Sequence, residues 1–433
     1  VILILDFGFG RQVFPAARGA LSREEAHGRG EGRRRSATPI GEMAAIRRVA
    51  GYATAEATAA WRDRLLANKA IGVSAYRALP SGVSVSSIGI GTYQGELGEV
   101  HDQAIVAAIV ASVRAGVNVI DTAVNYRLQQ GERCVGQALL QLMEGDDPVP
   151  REALFVSTKA GFVPGDYAVS TDKEEGMKRV AADLVKAGVP GEEICDGFRH
   201  TLHPVALDIL LDKSLDNLGL STVDLFYIHN AENQLGMGVS RETLVRRLRA
   251  AFAWCERAIS EGKIRAYGLA TWDCFRVPPS HAGHLALAEL MALATAAAKE
   301  VRGEGAASGF AAVQIPINVG KLEAVVEPTQ GDPSSPAPSA PYAADARLIV
   351  FASSSLGGGD APAAAHVCER HASMKDLPPG SARWLQFTRS CPGVSCALVG
   401  MKRMANVESN LSLLKEAPLG AEEVNGLCSA LQA

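Results

Sequence analysis

Four absences bound this chain before any motif is read. No apolar stretch approaches the roughly 20 residues that a membrane-spanning helix requires, and the opening run VILILDF is too short. A surplus of positive charge is missing: 43 Lys and Arg face 47 Asp and Glu, for a formal net charge of -4 and an isoelectric point near 6.2. That balance lacks the basic face of a nucleic-acid binder, so neither nucleic acid nor membrane is an expected partner. The eight cysteines form no CxxC pair and no regular spacing, which points away from a disulfide framework and toward reduced, mostly buried thiols. Metal-ligand spacing is lacking too. His200 with His203 and His281 with His284 stand at i, i+3, but no carboxylate or cysteine pattern accompanies them, so no metal is expected.

What remains is the profile of a globular enzyme, 47% hydrophobic and 21% charged over 433 residues. Alternating strand-like and helix-like runs predict an α/β fold, a (β/α)8 TIM barrel with an N-terminal extension and long rim loops. Such a barrel takes about 250 residues, more with insertions, so one domain plus extensions suffices. Residues 1–42, rich in Gly, Ala, Arg and Glu, read as a disordered extension or leader. Met43 opens a more ordered-looking stretch. Residues 43–80 read as a helical extension packed on the barrel through Tyr52 and Trp61, and 81–433 as the barrel itself. A cytoplasmic location is expected; the alternative is an organelle reached through an Arg-rich transit peptide, against which the several glutamates speak.

Eight strands are predicted: Ser86–Gly91, Val117–Asp121, Leu154–Thr158, Val223–His229, Ile264–Ala270, Ala311–Ile315, Leu348–Ala352 and Cys396–Val399. Between them, runs such as HDQAIVAAIVASVRAG and ETLVRRLRAAFAWCERAISEG carry apolar residues at helical spacing, as outer helices do. Two insertions break the pattern. Residues 162–203 contain a helical run and, on the rim, form a candidate lid; the Pro- and Ser-rich residues 327–345 read as a flexible loop.

Polar residues punctuate the strand ends in a telling order: Asp121 and Tyr126 after NVIDTAVNY, Lys159 after LFVSTK, His229 after VDLFYIH. Parallel strands deliver such residues to one rim, where barrel enzymes keep their chemistry. A phenol is a poor acid at neutral pH, with an unperturbed pKa of about 10. A nearby ammonium favours the phenolate, so Lys159 is expected to ease proton release from Tyr126 while Asp121 holds the lysine charged. His229 is placed to hydrogen-bond a carbonyl oxygen. Together the four suit reduction of a carbonyl by proton donation and hydride delivery from a cofactor.

At this point the chain resembles the aldo-keto reductases, (β/α)8 barrels that use a nicotinamide cofactor. The resemblance spans roughly Ala75 to Leu414 and rests on seven motifs in order: VSSIGIGTYQG, GVNVIDTAVNYR with GERCVGQAL, FVSTKAG, LDKSLDNLGLSTVDLFYIHN, GKIRAYGLATW, AAVQIPIN and CALVGMKRMANVESNL. It implies Asp121, Tyr126, Lys159 and His229 as the catalytic tetrad. For the cofactor it implies Gln314 and, where the family has a Ser-Asn pair, Ala270 and Thr271; Ser353 takes the place of the tyrosine that stacks on the nicotinamide. Leu356 and Gly357, with Gly358 and Gly359, are candidates for the pyrophosphate. Gly400, Lys402, Arg403 and Asn410 match the dinucleotide clamp, with Asn406 where an arginine often stands.

The implied cofactor is NADP (NADPH) by preference, with NAD admitted, since cations at Lys402 and Arg403 suit a 2'-phosphate. Tyr93, Asn230 and Trp272 are expected to border a small-molecule carbonyl or alcohol substrate, a sugar included. The alternative the resemblance brings is a nicotinamide-nucleotide-binding regulatory or redox-sensing subunit with little turnover. Nothing in the sequence demands an oligomer.

Overall fold

Eight parallel strands pair side by side and close on themselves. The computed structural model describes residues 48–144, 147–357 and 365–432. The extension expected at 1–42 lies outside these, as do Gly358 and Gly359. A short antiparallel hairpin, β1 (Tyr76–Ala78) and β2 (Ser84–Ser86), precedes the barrel. The barrel strands are β3 (Ile88–Gly91), β4 (Val119–Asp121), β5 (Phe155–Ala160), β6 (Val223–His229), β7 (Ile264–Ala270), β8 (Phe310–Pro316), β11 (Ile349–Ser353) and β12 (Val394–Gly400). They follow one another around the ring in chain order, and β12 returns to β3. A second hairpin, β9 (Gln330–Asp332) and β10 (Ser335–Ala337), stands apart.

Helices alternate with the barrel strands as the apolar spacing predicts. The longer ones are α1 (Ala55–Ala67), α2 (Glu99–Arg114), α3 (Gln130–Glu144), α4 (Lys173–Lys186), α5 (Pro204–Leu218), α7 (Arg241–Ser260) and α8 (Leu287–Arg302). Short α6 (Asn233–Gly236), α9 (Glu323–Val326), α10 (Ser339–Asp345) and α11 (Ala365–Arg370) fill connections, and α12 (Ser381–Ser390), α13 (Met404–Leu411) and α14 (Ala421–Gln432) complete the chain. Helix α5 starts with Pro204 at its first turn, behind the His203 cap, and stops at Gly219, whose φ of +65° permits the left-handed turn that ends it.

Strand alternation decides what enters the barrel. On β6, Leu225, Tyr227 and His229 share a face; on β5, Phe155, Ser157 and Lys159 do. The lower interior is apolar, built from Val119, Phe155, Leu225, Phe351 and Leu398, with Phe155 and Phe351 stacked at 5.9 Å. Leu79, Val83 and Val85 of the hairpin region join this cluster. A second core lies between strands and helices, where Phe226 and Phe252 are fully buried.

Two expectations are corrected. Residues 43–80 are not purely helical: beyond α1 the chain extends into β1, because the hairpin's apolar side chains find cover in the lower interior. Trp61 is buried as expected, whereas Tyr52 is 36% exposed under the Arg265 guanidinium, 4.0 Å from its ring centre. The Pro- and Ser-rich residues 327–345 are ordered as the β9–β10 hairpin and α10. His284 Nε2 lies 2.8 Å from the Thr329 carbonyl, and Gln330 Oε1 accepts from the Leu287 amide at 2.8 Å. Within the candidate lid, residues 162–203, Phe162 and His200 form an isolated antiparallel bridge. Val163, Ala181, Leu184, Val189 and Ile194 of the same segment form a core of their own with Ala206 of α5.

Candidate active site

Asp121 closes β4, a position that its strand's inward face hands to the top of the barrel. Its Oδ2 accepts from Lys159 Nζ at 2.6 Å, while Oδ1 accepts from Ser157 Oγ at 2.8 Å and from Gln314 Nε2 at 3.0 Å. Lys159 is wholly buried and also donates to the Thr122 carbonyl at 2.7 Å. Burial pulls this ammonium below its ordinary pKa, and the Asp121 carboxylate opposes that pull. Adjacent parallel strands make the pair: residue 121 aligns with Ser157, two places before the lysine on the same face.

Tyr126 follows in a tight turn whose next three residues, Arg127, Leu128 and Gln129, have φ of +50°, +52° and +71°. Non-glycine residues in that region are strained, and the surroundings must hold them. Arg127 does so by pairing with Asp102 at 2.6 Å and donating to the Glu96 carbonyl. The Tyr126 ring lies 4.8 Å from Lys159 Nζ, 5.0 Å from the Tyr93 ring and 5.8 Å from the His229 ring.

The phenol's pKa does not move as the sequence suggests. Burial raises it well above the ordinary value, and Asp121 and then Tyr93 add to the rise. Lys159 directs its ammonium at Asp121 and Thr122 and lies over the ring. The phenol is therefore protonated at neutral pH, the form an acid must have before it gives its proton. His229, 7% exposed, is pushed well below its ordinary pKa by burial, then by Lys159 and His200, so its imidazole is neutral. Its Nδ1 has no hydrogen-bond partner among the described residues.

The remaining candidates divide. Thr271 is buried, its amide and hydroxyl both directed at the Gln314 carbonyl, at 2.9 and 3.3 Å. Gln314 Nε2 donates to Asp121, and its Oε1 is the acceptor that could receive a carboxamide NH2. Trp272 is 43% exposed at the rim under the Lys321 ammonium, and Tyr93 is 61% exposed. Asn230, at φ +46°, donates its amide to the Ala270 carbonyl at 2.7 Å.

At the end of β12, a Cβ on Gly400 would meet only the Gly91 carbonyl, at 3.7 Å. Lys402 and Arg403 are exposed, and Arg403 stands at the N-cap position of α13 without a side-chain capping bond. Asn410 is 1% exposed with its Oδ1 already accepting from Ser381 Oγ at 2.9 Å, so contact with an adenine is left to its amide nitrogen. Leu356 packs against the core, and Gly357 turns at φ +68°.

Sequence reasoning missed Phe162, His200 and Glu232. Phe162 sets its ring edge against both His200 and His229, at 4.9 and 5.1 Å. Glu232, 7% exposed, accepts from the Trp272 amide at 2.5 Å, and burial raises its carboxyl to about 7. An acid three places after His229, in the run HNAENQL that follows the strand, was the available signal. The four histidines weighed as metal pairs all have protein partners: His203 caps α5, His281 accepts from Gly283, and His200 and His284 face backbone carbonyls. All eight cysteines are buried and unpaired.

The sequence model of the aldo/keto reductase family matches residues 87–194 and 198–278, from β3 through β7. The NADH-specific methylglyoxal reductase of Escherichia coli (strain K12) is 28% identical over 196 residues, 44% of this chain. The chain covers 50% of that relative, about half its length. A crystal structure of an aldo/keto reductase from Klebsiella pneumoniae in complex with NADP and acetate superposes with a TM-score of 0.52 at 20% identity, covering 82% of this chain and 94% of the other. The holo form of an aldo-keto reductase from Bacillus halodurans gives 0.52 at 16%, covering 83% and 96%. At these identities the two structures speak for the fold.

Proposed function

We propose that this chain, a member of the aldo/keto reductase family, is an NAD(P)H-dependent oxidoreductase that interconverts an aldehyde or ketone and its alcohol. The carrying observation is the enclosed Lys159–Asp121 pair, 2.6 Å long, beneath a protonated Tyr126 and a neutral His229 on one rim. Tyr126 gives its proton to the carbonyl oxygen. Lys159, anchored by Asp121 and Thr122, stabilises the phenolate as it forms. His229 orients the same oxygen by a hydrogen bond from its neutral ring.

The residues fit a nicotinamide cofactor. Gln314 Oε1 and the Thr271 hydroxyl suit its carboxamide, Gly400 leaves room for close backbone approach, and the start of α13 with Lys402 and Arg403 suits phosphate. When bound, that cofactor supplies the hydride. The NADP of the Klebsiella pneumoniae enzyme supports NADPH; the NADH-specific Escherichia coli relative keeps NADH in contention and favours 2-oxoaldehydes for a first panel.

The test is a fluorescence titration with NADPH and NADH, followed by cofactor consumption against aldehydes, ketones and sugars. Binding with multiple turnover is expected. Tight binding with no turnover on any carbonyl would instead support the regulatory subunit, and no binding of either nucleotide would remove the reductase.

A further inference from the structure

Strand β6 outruns its neighbour. The β5–β6 pairing ends with Ala160 against Ile228, so the carbonyl of His229 lies one residue past the last pair. Gly161, at φ +149°, turns the chain away there. The donor that a strand would have supplied comes from His200, fully buried, whose Nε2 is 2.8 Å from that carbonyl oxygen. A Cβ on residue 161 would stand 2.7 Å from the oxygen and 2.9 Å from His200 Nε2, so glycine alone admits the contact.

The ring's hydrogens follow from its neighbours. Arg247 only donates, and it donates to Gln234 Oε1 at 2.8 Å. The Gln234 amide nitrogen therefore faces His200 Nδ1, at 3.1 Å, and that nitrogen accepts. The proton then sits on Nε2 and is given to the His229 carbonyl. Arg247 is itself held from within residues 162–203, by Glu193 at 2.6 Å and the Glu192 carbonyl at 2.9 Å. Both ends of the insertion thus converge on one catalytic strand, and Phe162 packs its edge on both imidazoles.

We propose that His200 is a positioning residue for His229, and that residues 162–203 act as a brace that holds the strand end rather than as a lid. This rests on the reductase reading only for its kinetic consequence. His200 touches no reacting atom; it fixes the backbone from which the His229 ring extends.

Two variants at the position test it: His200→Leu removes the donor and keeps the bulk, and His200→Gln restores an N–H. The readouts are kcat and KM on a carbonyl substrate, nucleotide affinity by fluorescence, and the 15N signals of the His229 imidazole. For His200→Leu, kcat should fall about ten-fold or more, as displacement of a catalytic group does, while nucleotide affinity stays and the His229 signals shift. His200→Gln should recover most of both. A folded His200→Leu with unchanged kcat and unchanged His229 signals overturns the proposal, as does a loss that His200→Gln fails to recover. Should His200→Leu not fold, Gln234→Met leaves His200 but frees its tautomer; a smaller fall in kcat with a His229 shift supports the brace, and no change overturns it. If the native protein turns over no carbonyl, the reductase reading fails alone, and the His229 signals of the variants still decide this one.

Discussion

The Asp121 carboxylate is shared: one oxygen takes Lys159 Nζ at 2.6 Å, and the other takes Ser157 and Gln314. One group thus fixes both the lysine under the phenol and the glutamine proposed for the carboxamide. Asp121→Asn leaves a buried ammonium without its counter-charge, which costs about 3–5 kcal/mol. The double variant Asp121→Asn with Lys159→Met removes both charges and should recover part of that loss in urea denaturation. If the two single losses simply add, the pair is not coupled as drawn.

Tyr126→Phe should lower carbonyl turnover by about 10²–10⁴-fold, the range for a lost general acid. Nucleotide affinity should hold, because the lost hydroxyl is not among the contacts proposed for the cofactor. Retained turnover would take Tyr126 out of its role.

Lys402 and Arg403 are exposed beside the start of α13, the place proposed for the 2'-phosphate that distinguishes NADPH from NADH. Replacing both by Ala should weaken NADPH by about ten-fold or more, the worth of hydrogen bonds to a charged group. NADH should bind as before. An equal loss for both nucleotides would count against a phosphate-reading role.

His200 is held down to about 4 by burial, against an unfolded value of about 6.5. The folded chain therefore binds fewer protons than the unfolded one between these values. Its contribution is complete above about 6.5 and is lost as pH falls toward 4, at up to about 1.4 kcal/mol per pH unit. Urea midpoints at pH 7, 6 and 5 should fall less steeply in His200→Gln than in the native chain. Parallel slopes would show that His200 protonates freely when folded.

Glu232 has the opposite sign. Burial raises it to about 7, so the stability it contributes is present below the unfolded value of about 4.3 and is lost as pH rises through 7. Glu232→Gln should flatten that decline in the same urea series, and the Trp272 amide, bonded to Glu232 Oε1, is the reporter by NMR. An unchanged slope with an unmoved Trp272 signal would show that the carboxyl is charged throughout.

Alternating strand-like and helix-like runs were enough to place the barrel strands, and position at the strand ends was enough to bring Asp121, Lys159 and His229 to one rim, because strand geometry is local; Gln314 was marked only by the family resemblance. Helical spacing likewise marked α2, α3, α5 and α7. Tertiary structure alone decided the rest. His200 lies 29 residues before the strand end it completes, and nothing in its own neighbourhood says which carbonyl it will find. The β9–β10 hairpin exists because His284 and Gln330 tie a Pro- and Ser-rich run to α8, contacts to which composition is blind. The direction of the Tyr126 pKa also waited on the fold: charge alone suggests a fall beside Lys159, but enclosure sets the cost of removing the proton, and enclosure is a property of the assembled barrel.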